Sequence, residues 1–356
     1  MARPFVSVLI DTYNHERFIE QAILSVLEQD FPASGREILV VDDGSQDRTP
    51  EIAAKFGPQV RLLRKANGGQ ASAFNAGIPE CQGEIVAFLD GDDWWAPGKL
   101  KLVVAAFSEN ADVGLIGHSI TEVLADGTRR SELVRECPRF RIDSVAGARL
   151  FRLRKAFLGT SRMAFRAELL RRVGPVPESL TIQADEFLFT LGALFSEVLL
   201  LRDPLTFYRL HGQNLFQVSD GSVAALRRKH AVLLALAGSL RLRFAEERVS
   251  EEISKTVIES VQTEADAVQL CLGSGTPLDT IRTEVRAYRI DHEHASAFRW
   301  TLKLLSLLPA LFLSPRQFTI WKQKLASNPL YRKTRQRLMP QLRHTHIDRT
   351  GDWNQR

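Results

Sequence analysis

The sequence predicts an α/β protein with a helical C-terminal region. Apolar, β-branched runs alternate with helix-like stretches over roughly the first 120 residues. Polar, mostly acidic tips follow three of those runs, and the pattern becomes helical from about residue 222. Strands alternating with helices indicate a mainly parallel sheet. In such sheets ligands bind beyond the carboxyl ends of the strands.

The strand runs are Val6–Ile10, Ile38–Val41, Val60–Leu63, Ile85–Leu89 and Val113–Ile116. Between the first two, Glu16–Glu28 places Ile19, Ile23, Val26 and Leu27 on one side of a helix. Asp126-Gly127 reads as a hairpin turn. Gly159–Phe165 reads as a strand and Arg166–Arg172 as a short helix stopped by Gly174-Pro175. Asp185–Phe195 reads as a helix and Val198–Arg209 as strand and loop. Three amphipathic helices follow, over Ser222–Glu247, Glu251–Leu270 and Leu278–Tyr288. The domain reading is 1–218, with halves 1–115 and 116–218, then a helical region 219–356 with a basic tail.

Composition narrows the class. Apolar residues make up 44% and charged residues 25% of the 356, which suits a packed core and argues against disorder. The three cysteines, Cys81, Cys137 and Cys271, are far apart and in no CxxC spacing, so we expect buried thiols in a reducing compartment. Met1–Pro4 leads into the first strand with no cleavage signature, and the apolar run Leu304–Leu313 is too short to span a bilayer. Net charge is +5, yet residues 299–356 alone hold 12 Lys and Arg against 2 Asp and Glu. The basic character therefore belongs to the tail.

Three motifs carry chemistry. Asp90-Gly91-Asp92-Asp93 follows the buried run Ile85–Leu89, which delivers carboxylates to the sheet rim. Mg²⁺ and Mn²⁺ take hard oxygen ligands, commonly one or two carboxylates plus substrate phosphates. Asp42-Asp43-Gly44-Ser45 follows the second run, where a carboxylate can accept the ring N–H of a uracil or thymine; helix capping by Ser45 or Asp47 is the competing reading. Asn67-Gly68-Gly69 precedes a helix, allowing close backbone approach to a ligand.

Ser7–Asn14, Val41–Ser45, Asn67–Gly69 with Asn75–Gly77, and Leu89–Asp93 occur in an order and spacing that resembles the family 2 glycosyltransferases. The resemblance covers about residues 5–215. It implies the GT-A fold, a nucleotide-binding mixed sheet flanked by helices. It further implies inverting transfer of a sugar from a nucleotide-sugar, uridine first among the nucleotides, with Mn²⁺ or Mg²⁺. Position by position it implies that Asp11, Thr12 and Asn14 lie against base and ribose. Asp43, with Asp42, reads the base; Asn67 and Gly69 line the donor; Asp90 sits near ribose and metal; and Asp92 ligates the metal. Asp185 is the implied general base, with Glu186 the runner-up, and a helix N-terminus is expected to keep it ionised. In Tyr208-Arg209-Leu210-His211, Arg209 pairs with phosphate and His211 ligates metal or diphosphate.

Two positions depart from the family. Asp11 stands where Pro is usual, and Phe74 stands where Arg or Lys often precedes the Asn matched by Asn75. Arg64, Lys65 and Arg209 are candidates to replace that cation. Asp291–His294 reads as a solvated segment, and Trp94 and Trp95 as sugar-stacking or packing residues.

Expected partners are the nucleotide-sugar donor and a glycan or lipid-linked acceptor, in cell-surface polysaccharide or glycoconjugate synthesis. No nucleic acid is expected. The apolar strip and basic stretch within 300–343 suggest peripheral contact with the inner membrane face of a cytoplasmic protein, or packing against the catalytic domain or a second subunit. The competing functional class is a non-catalytic nucleotide-binding scaffold of a membrane-associated glycan assembly.

Overall fold

A computed structural model describes residues 5–134, 136–211, 222–292, 295–327 and 346–348. The chain divides into two units: Met1–Asn214 with Thr345–Arg356, and Leu215–His344. The expected boundary at 218/219 lies outside the described residues.

The first unit starts with β1 (Val6–Thr12), α1 (Ile19–Leu27), β2 (Arg36–Asp42), α2 (Thr49–Ala54), β3 (Arg61–Arg64), α3 (Gln70–Gly77) and β4 (Ile85–Asp90). Strands β3, β2, β1 and β4 lie side by side and parallel. The apolar runs of β1, β2 and β4 are buried on both faces, as in parallel sheets, whereas the edge strand β3 is partly exposed. Ile19, Ala22, Ile23 and Val26 form the buried face of α1, at the spacing that lines one side of a helix. Each such aliphatic side chain contributes roughly 1.5–3 kcal/mol when withdrawn from water.

Beyond β4 the sheet becomes mixed. It continues through β5 (Trp94–Trp95), α4 (Lys99–Glu109), β6 (Val113–Leu124), β7 (Arg129–Leu133), β8 (Arg139–Phe140), α5 (Val145–Arg154), β9 (Ala164–Arg166), α6 (Ala167–Val173), α7 (Ala184–Phe195) and β10 (Glu197–Leu210). Strand β9 runs antiparallel between β4 and β6, whereas β10 runs parallel to β6. The β10 register shifts around Pro204, which has no N–H to give the ladder. The final strand, β11 (His346–Asp348), pairs with β7.

Some expectations change here. Gly159–Phe165 is not one strand: Thr160–Arg162 forms a 3₁₀ turn, and the strand begins at Ala164. Trp94 and Trp95, expected to stack on a sugar or to pack, form a short strand paired with β10. Trp95 is buried, while Trp94 stacks on Phe207 at 5.1 Å. Cys137 is exposed, and Cys81 and Cys271 are half-buried, so the thiols are not core residues.

The second unit contains α8 (Val223–Glu246), α9 (Glu251–Cys271), α10 (Pro277–Asp291), α11 (Ala297–Leu305) and α12 (Pro315–Ser327). Thr276 and Asp279 form a reciprocal capping box that starts α10. His292 follows that helix, whereas Glu293 and His294 lie outside the described residues.

Candidate active site

The parallel strands end in register, and this brings the acidic tips together. Asp11 of β1 lies opposite Asp90 of β4, and Thr12 lies opposite Asp42 of β2. Asp90, Asp92 and Asp93 bring carboxylate oxygens within 4.8 Å of one another. Burial pushes the Asp11 carboxyl well above its ordinary range, and the Asp92 and Asp185 charges push it further. Asp90 is raised likewise, by burial first and then by Asp11, Asp92, Asp93 and Asp185. Burial also acts on Asp92, but the hydrogen bond from His211 and the neighbouring imidazoles outweigh it and hold this carboxyl low.

Each acid is held differently. Asp90 Oδ2 accepts from Ser161 Oγ at 3.2 Å. Asp92 Oδ2 lies 3.0 Å from His211 Nε2 and 3.9 Å from His15 Nε2. Asp93 Oδ1 accepts the Arg209 backbone N–H at 2.8 Å, fastening β10 to the acidic loop. Burial, with the Asp92 charge, pushes Asp93 up to about 8. Asp11 Oδ1 and Asp93 Oδ2 are buried without a hydrogen-bond partner. Orphaned acceptors in a repelling carboxylate cluster suit a hard divalent cation, so the residues present fit Mn²⁺ or Mg²⁺.

The second loop is built around Asp43. Its carboxylate accepts the N–H groups of Gly68 at 3.0 Å and Gly69 at 2.7 Å, the Asn67 side-chain amide at 3.2 Å and the Lys65 ammonium at 2.6 Å. It thereby shapes the Asn67–Gly69 loop. Asp42 was expected to read the base together with Asp43. It is instead fully buried, accepting from Ser45 N–H and Arg64 Nε, both at 3.2 Å, so it anchors the loop from beneath. Asn14 sits at φ 55° and links the two loops: its N–H donates to Ser45 Oγ, and its Oδ1 accepts from Gln46 N–H, each at 2.8 Å.

Gly69 is required by geometry. Its φ is +83°, and a Cβ there would lie 2.6 Å from the Thr181 Cα. Gly69→Ala is expected to cost about 1–3 kcal/mol in urea unfolding. Gly98→Ala, at a position with nothing within 4 Å of the added carbon, should be near neutral in the same measurement.

Asp185 opens α7 and faces Thr160, whose N–H and Oγ1 donate to Asp185 Oδ2 at 3.1 and 3.3 Å. Gln70 Nε2 in turn donates to Thr160 Oγ1 at 3.0 Å, and Gln70 Oε1 accepts the Ala184 N–H, also at 3.0 Å. The residue after Gly69 thus ties the glycine loop to the start of α7. The direction of the shift expected of Asp185 is reversed, although the group stays mostly ionised at neutral pH. Burial, then the Glu186 charge, raises its carboxyl to about 6, outweighing the helix N-terminus and the Thr160 hydrogen bonds. Glu186 itself is paired with Lys155.

The replacement cation for Phe74 does not emerge simply. Phe74 is fully buried, edge-on to Phe88 at 5.3 Å, so this position points into the core. Arg64 and Lys65 are engaged with Asp42 and Asp43. Arg209 donates to the Asp92 carbonyl at 2.8 Å and to Gln21 at 2.6 Å, and lies over the rings of Trp94 and Phe18.

Sequence reasoning missed His15, Ser161, Thr160, Gln70 and Lys99. The Thr12 hydroxyl and His15 Nδ1 share a hydrogen bond at 3.1 Å. Burial lowers the pKa of the His15 imidazole, against the pull of the Asp92 charge. Lys99 is completely buried, donates to the Ser161 carbonyl at 2.7 Å and lies 4.0 Å from the Trp95 ring. The place of His15 directly after the turn residue Asn14 was the one available signal; Lys99 gave none.

The mixed sheet with its flanking helices is a fold of the GT-A type. Residues 7–174 match the model of glycosyl transferase family 2, and this part of the chain belongs to that family. An uncharacterized glycosyltransferase of Nostoc is 34% identical over 216 residues, 59% of this chain and 66% of the relative. Glycosyltransferase AglE of Haloferax volcanii is 32% identical over 188 residues, 51% of this chain and 59% of that protein. The chain thus spans less than two thirds of the length of either relative. Among solved structures, Staphylococcus aureus TarS 1–349 in complex with UDP superposes with a TM-score of 0.51 at 20% identity, over 83% of this chain and 92% of that one. Mannosyltransferase PcManGT of Pyrobaculum calidifontis, in complex with GDP-Man and Mn²⁺, gives 0.52 at 21%, over 95% of this chain and 85% of that one. At such identities the likeness concerns the fold.

Proposed function

We propose that the chain is an inverting, metal-dependent glycosyltransferase that moves a sugar from a nucleotide-diphosphate sugar to an acceptor hydroxyl. The observation that carries this reading is the convergence of Asp11, Asp90, Asp92, Asp93 and Asp185 at one sheet edge, with a base-competent carboxylate at Asp185. UDP and UDP-GlcNAc in TarS structures, and GDP-Man in the PcManGT structure, support a nucleotide-sugar donor. Uridine stands first, because Asp43 shapes the loop where the ring N–H of such a base would be met.

Asp92, with Asp90 and His211, would hold Mn²⁺ or Mg²⁺, which neutralises the charge developing on a departing diphosphate. Asp11, Thr12, Asn14, Asp43, Asn67 and Gly69 shape the donor side, with Asp42 beneath them. Arg209 holds the acidic loop against β10, where its charge also favours a diphosphate. Asp185 Oδ2, oriented by Thr160, takes the proton from the acceptor hydroxyl as that oxygen attacks the anomeric carbon from the face opposite the leaving group. A single displacement of this kind inverts the anomeric configuration. The acceptor class is a glycan or lipid-linked glycan of cell-surface synthesis, reached from the cytoplasmic side of a membrane.

Thermal-shift titration of the full chain with UDP, dTDP and GDP, each with and without Mn²⁺ or Mg²⁺, tests the donor site. A metal-dependent rise in melting temperature with one nucleotide is expected, because a ligand selective for the native state stabilises it by mass action. No shift with any of the three would remove the donor-site assignment.

A further inference from the structure

The second unit carries an apolar surface that its own core does not use. Leu307, Ala310 and Phe318 are buried together with Ile281, Val285, Leu313 and Trp321. The same stretch also turns apolar side chains outward: Phe298, Leu304, Leu305, Leu308, Leu311 and Phe312 are all exposed, Phe312 by 86%. Phe298, Leu304 and Leu305 stand on α11, and Leu308, Leu311 and Phe312 on and just after the 3₁₀ turn that follows it. This segment therefore carries apolar side chains both against its own core and on its exposed surface. A segment surrounded by water would present polar side chains outward. The other exposed leucines of this unit, such as Leu234, Leu242 and Leu278, stand far apart along the chain and need no explanation.

Charge decides what such a surface meets. Lys303 and Lys322 are both engaged with Glu284 and offer little to a partner. Arg316, at the start of α12, is exposed. The chain after α12 adds Arg332, Lys333, Arg335, Arg337 and Arg343, with no acidic residue between 328 and 344. Exposed aromatic and aliphatic side chains in a part of the sequence rich in Lys and Arg and nearly free of Asp and Glu match an anionic lipid surface, where apolar groups enter the acyl boundary and cations meet the headgroups. No helix among the described residues is long and apolar enough to cross a membrane, so the fit is to a surface and not a span.

We propose that the exposed face formed by Phe298, Leu304, Leu305, Leu308, Leu311 and Phe312 is a docking surface for an anionic lipid bilayer. It stands independently of the donor-site reading, because none of its residues belongs to that site. It deepens the expectation of membrane contact by naming the side chains that enter the bilayer and the lipid charge that holds them.

Co-sedimentation of the full chain with vesicles tests it. Wild type is expected to pellet with vesicles of phosphatidylcholine and phosphatidylglycerol. It should bind pure phosphatidylcholine about tenfold less, and lose most binding to the mixed vesicles at about 0.5 M salt. Leu305→Ser/Leu308→Ser/Phe312→Ser should cut binding to anionic vesicles by about tenfold or more. Phe312→Ser alone should cut it several-fold, at a position so exposed that the fold does not depend on it. Circular dichroism and the nucleotide-induced thermal shift should match wild type in both variants. Failure of wild type to pellet with anionic vesicles overturns the proposal, as does unchanged binding by the triple variant. Equal binding to neutral vesicles overturns the anionic requirement. Light scattering that shows a wild-type dimer turned monomeric by Phe312→Ser would assign the face to a second copy of the chain instead.

Discussion

Asp185→Asn should lower kcat by about 10²–10⁴-fold, the usual contribution of a positioned base, while leaving donor affinity near wild type. Asn keeps an acceptor for the Thr160 N–H and hydroxyl that meet Asp185 Oδ2 at 3.1 and 3.3 Å, so the start of α7 stays organised. What disappears is the capacity to take a proton. Since the carboxyl is raised to about 6, wild-type kcat should fall on acidification through that pH, roughly tenfold for each further pH step, as the base becomes protonated. The residual activity of the variant should lack this limb.

Stability provides an opposite and independent readout. The folded carboxyl keeps its proton to about 6, against an ordinary 3.8. The stabilisation this group contributes is therefore present below about pH 4 and lost as pH rises through about 6. At pH 7.5, with no metal added, Asp185→Asn should melt at or above the wild-type temperature. The gain is bounded at about 3 kcal/mol, the free-energy equivalent of that displacement. A helix cap with no catalytic part would show the reverse pair: activity retained and melting temperature lowered. Chemical unfolding at pH 5 and 7.5, beside steady-state kinetics, separates the two.

What could be read from the sequence, and what could not, follows from range. The acidic tips were legible because a parallel strand delivers its next residue to a known edge, and the runs Val6–Ile10, Ile38–Val41 and Ile85–Leu89 are continuous enough to identify. The in-register meeting of Asp11 with Asp90 then needs only the strand order. Helices α6 to α10 were legible from their periodicity and breaks. The mixed half of the sheet was not. Strand β10 combines a bulge at Pro204 with parallel pairing to β6, and neither leaves a local pattern.

The direction of the Asp185 shift was misjudged for a related reason. A helix N-terminus is visible in sequence, but burial next to the Glu186 charge is a tertiary fact, and it outweighs the dipole. Asp42 shows the same limitation. Two adjacent acids after a strand look alike in sequence, and only packing sends Asp42 beneath the loop while Asp43 clamps the glycine amides. Lys99 is the extreme case, a lysine in the first turn of α4 that reads as solvated and is completely buried.

Asp92→Asn should damage activity as much as Asp185→Asn does, and likewise leave the fold intact. Of the three clustered acids, Asp93 is tied to the Arg209 backbone and Asp90 to Ser161, so replacing either also disturbs structure. Asp92 is held through His211, and an Asn oxygen can still accept from that imidazole at 3.0 Å. Its negative charge is meanwhile one cause of the raised carboxyls of Asp11 and Asp90. Relief of that repulsion is outweighed, however, by the loss of a carboxylate that the His211 hydrogen bond and the two imidazoles hold low, so without added metal Asp92→Asn should melt somewhat below wild type at neutral pH. With Mn²⁺ and nucleotide it should lose the stabilisation expected of wild type, and its turnover should fall roughly 10²–10⁴-fold, as expected when charge stabilisation of several kcal/mol is removed from the leaving diphosphate. Thermal shift and kinetics on the same preparations read both effects. A variant that keeps the metal-dependent shift and full turnover would move the ligand role from Asp92 to another acid of the cluster.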